Sequence, residues 1–264
     1  MALPHFHRPP TRPHAWLWWL GSSQLLVAAI WWRYGWQVGL PAMLASHLLF
    51  WWGVLWPHSR MYGPVLRRLP PESLPGDGRR VWLTIDDGPS EHTRALLDLL
   101  DAHDAKATFF LVGERARQRE ADVREIVRRG HGIGNHSASH PQAWFWALPP
   151  RRMAAEIAQA QASLTALAGR PPRWFRAVVG MANPFVAAPL RAQGLARVAW
   201  SARGFDGVGS TPAATVRRIE AALSPGGIVL LHEGGAAVRS VETLQLLLER
   251  LSALGYRTIL PEHL

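Results

Sequence analysis

Two carboxylates stand side by side in the run Leu83-Thr84-Ile85-Asp86-Asp87-Gly88-Pro89, where four strand-forming residues give way to Gly-Pro. Adjacent like charges raise each other's pKa and cost stability. An acidic turn would account for the residue types, because Asp, Gly and Pro all favour turns. A chemical account requires a cation beside the pair, or a division of labour between the two acids. The stretch Gly134-Asn135-His136-Ser137-Ala138-Ser139-His140-Pro141 supplies a candidate. His136 and His140 are spaced i, i+4, so one helical turn would put both imidazoles on one face, a spacing that suits two ligands of one metal. The chain has twelve histidines, so such a pair arises easily by chance. It gains meaning with a third ligand, and Asp87 can be that ligand, leaving Asp86 free as a base. His232 directly follows the apolar run 227–231. A histidine at a strand end is commonly structural, and Arg176 or Asp206 alone carries little signal.

The elements that must position these groups follow from periodicity and from turn residues. Short apolar, β-rich runs predict strands at 81–85, 107–112, 131–135, 174–176, 196–200, 227–231 and 256–259. Helical spacing, as in Leu96, Leu97, Leu99 and Leu100, predicts helices at 93–103, 121–129, 151–168, 184–193, 212–223 and 241–254. Gly130 and Gly169 end two of them, and Thr211 caps another. Strict alternation of strand and helix predicts a parallel sheet with helices outside. Periodicity does not separate an open sheet from a closed barrel. Asp86, Asp87, Asn135, His136, Arg176, Asp206 and His232 all fall at or after strand ends. In a β/α arrangement those ends gather at one face, where catalytic loops sit.

The N-terminal fifth is a different material. Nine of the fourteen tryptophans lie between Trp16 and Trp56, clustered as Trp16, Trp18, Trp19, then Trp31, Trp32, Trp36, then Trp51, Trp52, Trp56. No charge lies between Ala15 and Trp32, and His47 is the one titratable group between Trp36 and Trp56. Each stretch is long enough for a hydrocarbon core of roughly 30 Å. Tryptophan prefers the headgroup level, so the clusters read as aromatic belts on two transmembrane helices joined at Arg33-Tyr34-Gly35. A cleaved secretion signal would end in small residues rather than Trp-Trp-Arg. A buried soluble hairpin would rarely carry so many tryptophans. The formal charge of +10 suits an acidic or membrane partner, and no nucleic-acid motif accompanies it. The chain has no cysteine, which excludes disulfides and thiolate metal sites. The expected organisation is a basic tail at 1–13, two transmembrane helices within 14–57, a Pro-, Gly- and Arg-rich linker at 58–79, and an α/β domain at 80–264.

In this order and spacing, the acidic pair and the histidines resemble the polysaccharide deacetylases, the NodB-homology family of metal-dependent amidohydrolases. The family's first motif, Thr-Phe-Asp-Asp-Gly-Pro, is matched from Thr84 to Pro89. The second, His-Ser/Thr-x-x-His, is matched from His136 to His140. Arg176 stands for the third, Asp206 for the fourth, and Leu230-Leu231-His232 for the fifth. The resemblance implies a distorted (β/α) barrel over residues 80–264, and it implies roles. Asp87, His136 and His140 would hold a divalent metal, expected to be zinc. Asp86 would be the base, and His232 the acid, kept cationic by Asp206. Arg176 would position Asp86. A backbone N–H near Val179 would meet the oxyanion, and Leu230 would line the substrate site. Two departures stand out. The third motif usually reads Arg-Pro-Pro-Tyr-Gly, but here it is Arg176-Ala177-Val178-Val179-Gly180. The fourth usually ends Asp-Trp, but here Gly207 follows Asp206, so a formyl or another small acyl group fits the expectation as well as acetyl. Trp144 and Trp146, close after the second histidine, are either core residues or contacts to a sugar face or lipid.

The expected activity is hydrolysis of an N-acetyl or other small N-acyl group from an amino sugar, in a glycan or on a lipid-linked precursor. The alternative is a catalytically inactive member that binds glycan or lipid. The expected partners are the amino-sugar substrate and the bilayer, with no nucleic acid and no evident protein partner. Arg8 and Arg12 precede the first helix, Arg33 alone lies in the turn, and Arg60, Arg67, Arg68, Arg79 and Arg80 follow the second. Positive flanks favour the inside, which predicts an inner-membrane protein whose catalytic domain faces the cytoplasm.

Overall fold

The computed structural model describes residues 5–76, 78–234, 237 and 239–264, apart from the side chain of His263. The first four residues of the basic tail and Asp77 of the expected linker lie outside the described residues. In chain order the elements are α1 (Ala15–Tyr34), α2 (Trp36–Leu55), β1 (Arg80–Gly88), α3 (Thr93–Ala102), β2 (Ala107–Leu111), α4 (Gly113–Gln118), α5 (Glu120–Arg128), β3 (Gly132–Asn135), α6 (Pro150–Ala168), β4 (Trp174–Phe175), α7 (Ala187–Ala192), β5 (Ala196–Arg197), β6 (Ala202–Arg203), α8 (Pro212–Ala222), β7 (Ile228–His232), α9 (Ser240–Ala253) and β8 (Arg257–Thr258).

Every strand pairing is parallel, in the order β5-β4-β3-β2-β1-β7-β6, with β8 on the end of β1. The sheet is a curled half-barrel. Alternation along β1 sets its two faces. Val81, Leu83 and Ile85 join the leucines of α3 and α9 in the outer core. Trp82 faces inward with Phe110, Trp174 and Ile228, and its indole donates to the Thr108 hydroxyl at 2.8 Å. This apolar plug closes the inner face below Thr84 and Asp86. Two short elements were not expected: α4, at 6 residues, and β6, at 2 residues, are shorter than a readable period.

The stretch expected as a linker is woven into the domain. Leu69 is fully buried and donates its N–H to Gly226, Leu66 bridges to Val198, and Arg68 bridges to Gly227. Its apolar anchors, Tyr62, Val65 and Leu69, are too few and too unevenly spaced to stand out among prolines and arginines.

Helices α1 and α2 pack on each other, and Gln24 and Ser23 both bond the Ser46 hydroxyl, at 3.1 and 3.2 Å. Among the described residues, one helix, Trp36–Leu55, is long and apolar enough to cross a membrane. α1 has the same length, but Gly21, Ser22, Ser23 and Gln24 interrupt its apolar run. The domain end of the pair is bonded to the α/β domain. Val54, Phe50 and Trp16 join a core with Phe145, Phe175 and Val186, and Tyr62 donates to the Phe50 carbonyl at 2.8 Å.

Candidate active site

Parallel pairing brings the C-terminal ends of β1, β3, β4, β6 and β7 to one edge, and the chemistry-bearing residues sit there. β1 lies in the centre. Asp86 pairs with His232 on one side, while β2, β3 and β4 lie on the other. Arg176, just past β4, is 1 % exposed and fills the inside of the half-barrel. Its guanidinium lies 4.2 Å above the Phe110 ring and donates to Asp86 at 2.6 Å, to the Thr84 hydroxyl at 2.8 Å and to the Ala199 carbonyl at 3.0 Å. A buried cation bonded this way holds the Asp86 carboxylate in one orientation.

Asp87, His136 and His140 offer three ligand atoms within 4.8 Å of one another. His140 Nε2 is 2.9 Å and His136 Nε2 is 3.4 Å from Asp87 Oδ1. Burial would raise the Asp87 pKa, but the two imidazoles overturn that and hold it well below the usual carboxylate range. His136 Nδ1 bonds the Arg176 carbonyl at 2.9 Å, which leaves Nε2 for the cluster. Asp87 Oδ1 is buried, and although both ring nitrogens are close to it, neither is aligned as a hydrogen-bond donor. Two imidazoles and a carboxylate around an unsatisfied buried oxygen fit a divalent cation.

The histidines do not share a helical turn, as their spacing suggested. Residues 136–140 are an irregular loop, with Ser137 at φ 71° and His140 at φ 55°. Backbone reversal rather than helical pitch brings the rings together. The loop is strapped from two helices that the motif search did not include. Glu156 on α6 accepts from Ala138 N, Ser139 N and the Ser139 hydroxyl at 3.0, 2.9 and 2.7 Å. Gly113 N and Glu114 N, at the start of α4, donate to the Ser137 and Ala138 carbonyls. Arg115 reaches the Asp87 carbonyl. Nothing in the local sequence marks Glu156, because on a long amphipathic helix a glutamate reads as a solvated face. It is 7 % exposed.

On the other flank, Asp206 holds His232 twice, by Oδ2 to the backbone N–H at 2.7 Å and by Oδ1 to the ring Nδ1 at 3.0 Å. Burial alone would lower the His232 pKa. The Asp206 carboxylate, with Asp86 and Asp87 behind it, instead brings it up to about 9. Gly207 lies against this ring, and a Cβ there would fall 3.1 Å from Nδ1. A side chain at this position, where the family pattern has tryptophan, would start against the His232 imidazole. Next to His232, Glu233 is buried, and burial pushes its carboxyl up to about 7. It accepts from Thr93 Oγ1 at 2.5 Å and Ser90 Oγ at 3.1 Å and packs over Gly88. Sequence reasoning missed Glu233 too.

The substrate-side residues divide. Val179 sits at the rim, 39 % exposed, in a left-handed conformation (φ 49°) that a β-branched residue rarely adopts. Trp144 is exposed on the loop after β3. Trp146 packs instead against Trp51 of α2, with ring centroids 5.5 Å apart. Leu230 is buried with Val65, Ala199 and Trp200 beneath the site. Of the six described non-glycine residues with positive φ, Ser137, His140, Val179 and Phe205 are in these loops and Asp87 is at the C-terminal end of β1. Strain concentrated this way marks a functional edge.

Residues 74–198 match the polysaccharide deacetylase family profile. A chitooligosaccharide deacetylase of Bradyrhizobium sp. is 34% identical over 158 residues, covering 59% of this chain and 71% of that protein. The solved structure of a peptidoglycan N-acetylglucosamine deacetylase superposes with a TM-score of 0.67 at 30% identity, covering 74% of this chain and 89% of that one. A mutant of a carbohydrate esterase family 4 pseudoenzyme with restored enzymatic activity superposes with a TM-score of 0.65 at 26% identity, covering 74% and 68%.

Proposed function

The chain belongs to the polysaccharide deacetylase family of amide hydrolases, and from that premise we propose that it is a metal-dependent deacylase removing an N-acetyl or other small N-acyl group from an amino sugar. The substrate is an amino sugar within a glycan or on a lipid-linked glycan precursor. One observation carries the reading: Asp87, His136 and His140 form a ligand cluster with an unsatisfied carboxylate oxygen, directly beside a second carboxylate that is not part of it.

Asp87, His136 and His140 would hold a divalent cation, with zinc the ion best matched to two imidazoles and a carboxylate. When bound, it supplies Lewis acidity to the acyl carbonyl and acidifies water. Asp86, oriented by Arg176, takes the proton of the attacking water as its oxygen bonds the acyl carbon. His232 gives its proton to the nitrogen as the C–N bond breaks, so a carboxylic acid and a free amine leave. Asp206 holds the imidazolium for that transfer. A backbone N–H near Val179 faces the oxyanion in this reading.

The inactive alternative draws on the altered third and fourth motifs and on the similarity to a pseudoenzyme scaffold. The intact set of both aspartates, three histidines and Arg176 favours the enzyme. Metal analysis of the purified full chain, with acetate release from N-acetylchitooligosaccharides before and after chelation, separates the two. Stoichiometric metal and chelator-sensitive acetate release support the enzyme, whereas bound sugar without release supports the alternative.

We further propose that α1 and α2 anchor the chain in the inner membrane as a two-span hairpin, with the catalytic domain in the cytoplasm. The asymmetric arginine flanks support this topology. Reporters fused after Leu264, one active only inside and one only outside, test it. Signal from the external reporter alone overturns it.

A further inference from the structure

Outside the hairpin, four large apolar side chains are exposed among the described residues: Trp144 (66 %), Val179 (39 %), Phe205 (43 %) and Val208 (71 %). They come from three loops, after β3, β4 and β6, the same loops that carry His140, Gly180 and Asp206. The helical outer surface is different in kind: it carries arginine–glutamate pairs such as Arg128–Glu125 on α5 and Arg250–Glu220 between α9 and α8. Apolar groups gathered at one functional edge, rather than scattered singly, mark an interaction surface.

The hairpin ends at that edge. The Val54 carbonyl accepts from Ala182 N at 3.3 Å, a Cβ on Gly180 would lie 2.8 Å from Pro57, and the Trp51 ring packs at a tilt against Trp146. The last turn of α2 is thus within three residues of Val179 and two of Trp144. If α1 and α2 span a bilayer, their domain-end tryptophans Trp18, Trp19, Trp51 and Trp52 lie at headgroup level, and the rim lies at the same level. Between the rim residues, the half-buried Arg203 guanidinium sits 4.2 Å over the Phe205 ring and 5.1 Å from Trp200, its Nε without a partner and no carboxylate within ion-pair distance among the described residues. It offers charge to an anionic group entering from the membrane surface.

We infer that the mouth of the site rests on the bilayer surface through Trp144, Val179, Phe205 and Val208, and that the substrate is an amino sugar carried on a membrane lipid through a phosphate. This rests on the reading of α1 and α2 as a spanning hairpin and of the site as a deacylase.

Because the chain has no cysteine, single thiols report position cleanly. Full-length Val208→Cys, Leu25→Cys and Glu249→Cys, each labelled with bimane, are reconstituted in phosphatidylcholine–phosphatidylglycerol vesicles containing nitroxide lipids. Position 208 is expected to be quenched by a headgroup nitroxide, position 25 by an acyl-chain nitroxide, and position 249 by neither. Quenching at 25 without quenching at 208 overturns the membrane-seated mouth and leaves the hairpin standing. No quenching at 25 overturns both. For the substrate, Val208→Ser is compared with the parent on two probes: N-acetylglucosamine linked by phosphate to a long alkyl chain in vesicles, and soluble N-acetylchitotetraose. The vesicle-to-soluble rate ratio should fall about threefold or more, the scale of one partly buried valine. An unchanged ratio overturns the lipid-linked substrate. Absence of turnover on both probes, with metal bound, would defeat the deacylase reading and the substrate inference with it.

Discussion

On the β3–β4 side of β1, each catalytic group is held by at least two elements. Arg176 bonds β1 and the chain after β5, His136 bonds the Arg176 carbonyl, and the loop to His140 is clamped by α4 and by Glu156 of α6. On the β7–β6 side, His232 has one side-chain partner, Asp206, and its loop carries the exposed Phe205 and Val208. The first flank holds its charged groups through several elements. The second holds its imidazole through one carboxylate and borders exposed apolar loop residues. Of the departures from the family pattern, Val179 is at the rim and Gly207 lies against the His232 ring, outside the cluster of Asp87, His136 and His140.

Breaking the fixed flank should have the largest effect. Asp87→Ala should empty the cation site and lower activity by roughly 10³ or more, several kcal/mol of lost electrostatic stabilisation. Metal content of the purified variant by mass spectrometry checks the cause, and full occupancy would remove Asp87 from the ligand set. Its neighbour should fail differently. Asp86→Asn should keep the metal and lose roughly 10²–10⁴ in kcat, the range for a general base. Near-parental turnover with metal bound would end that assignment.

On the β7–β6 flank, His232→Ala should retain metal and lose about 10² in kcat. The loss should shrink for a substrate with a better leaving amine, and equal losses on both would speak against an acid. A milder blow to the fixed flank is Glu156→Gln, which removes a carboxylate from two backbone donors and one hydroxyl. Metal affinity should weaken roughly 10-fold, at the low end for groups supporting ligands. Isothermal titration with Zn²⁺ reads it, and unchanged affinity would show that α4 alone fixes the loop.

The smallest effect expected is a pH shift. The His232 pKa is raised to about 9 by burial opposed and exceeded by Asp206. A raised pKa means that the folded state binds a proton the unfolded chain releases above its ordinary value of 6.5. The resulting stabilisation is complete below that value and is lost as pH rises through about 9. Asp206→Asn should therefore move the alkaline limb of kcat to lower pH and flatten the stability profile across the same window. A limb that stays in place would assign it to another group.

Much of the site was legible because its chemistry is local in sequence. Asp86 and Asp87 are adjacent, and His136 and His140 lie within one loop, so type and spacing exposed them without a fold. Most strands and helices were legible too, from leucine periodicity and terminal glycines. The short elements were not: α4 and β6 owe their existence to neighbours, α4 through the carbonyls its N-terminus satisfies and β6 through pairing with β7. Glu156, Glu233 and Arg115 were invisible for a related reason. A charged residue on a helix, as Glu156 and Arg115 are, or in a loop, as Glu233 is, differs from a solvated one only in what folds over it.

The sequence by itself determined the alternation of strand and helix, the residues able to bind a cation or move a proton, and the tryptophan-rich segment ahead of them. Tertiary structure alone decided that 136–140 would be a strained loop rather than a helical turn. It also bridged Leu66 and Arg68 of the expected linker to Val198 and Gly227, and set Trp146 against Trp51 rather than at the mouth. The reason is the range of the forces involved. Periodicity and residue chemistry act within a few positions of the chain, whereas burial, backbone strain and hydrogen-bond satisfaction are settled by segments tens to hundreds of residues apart meeting in one core.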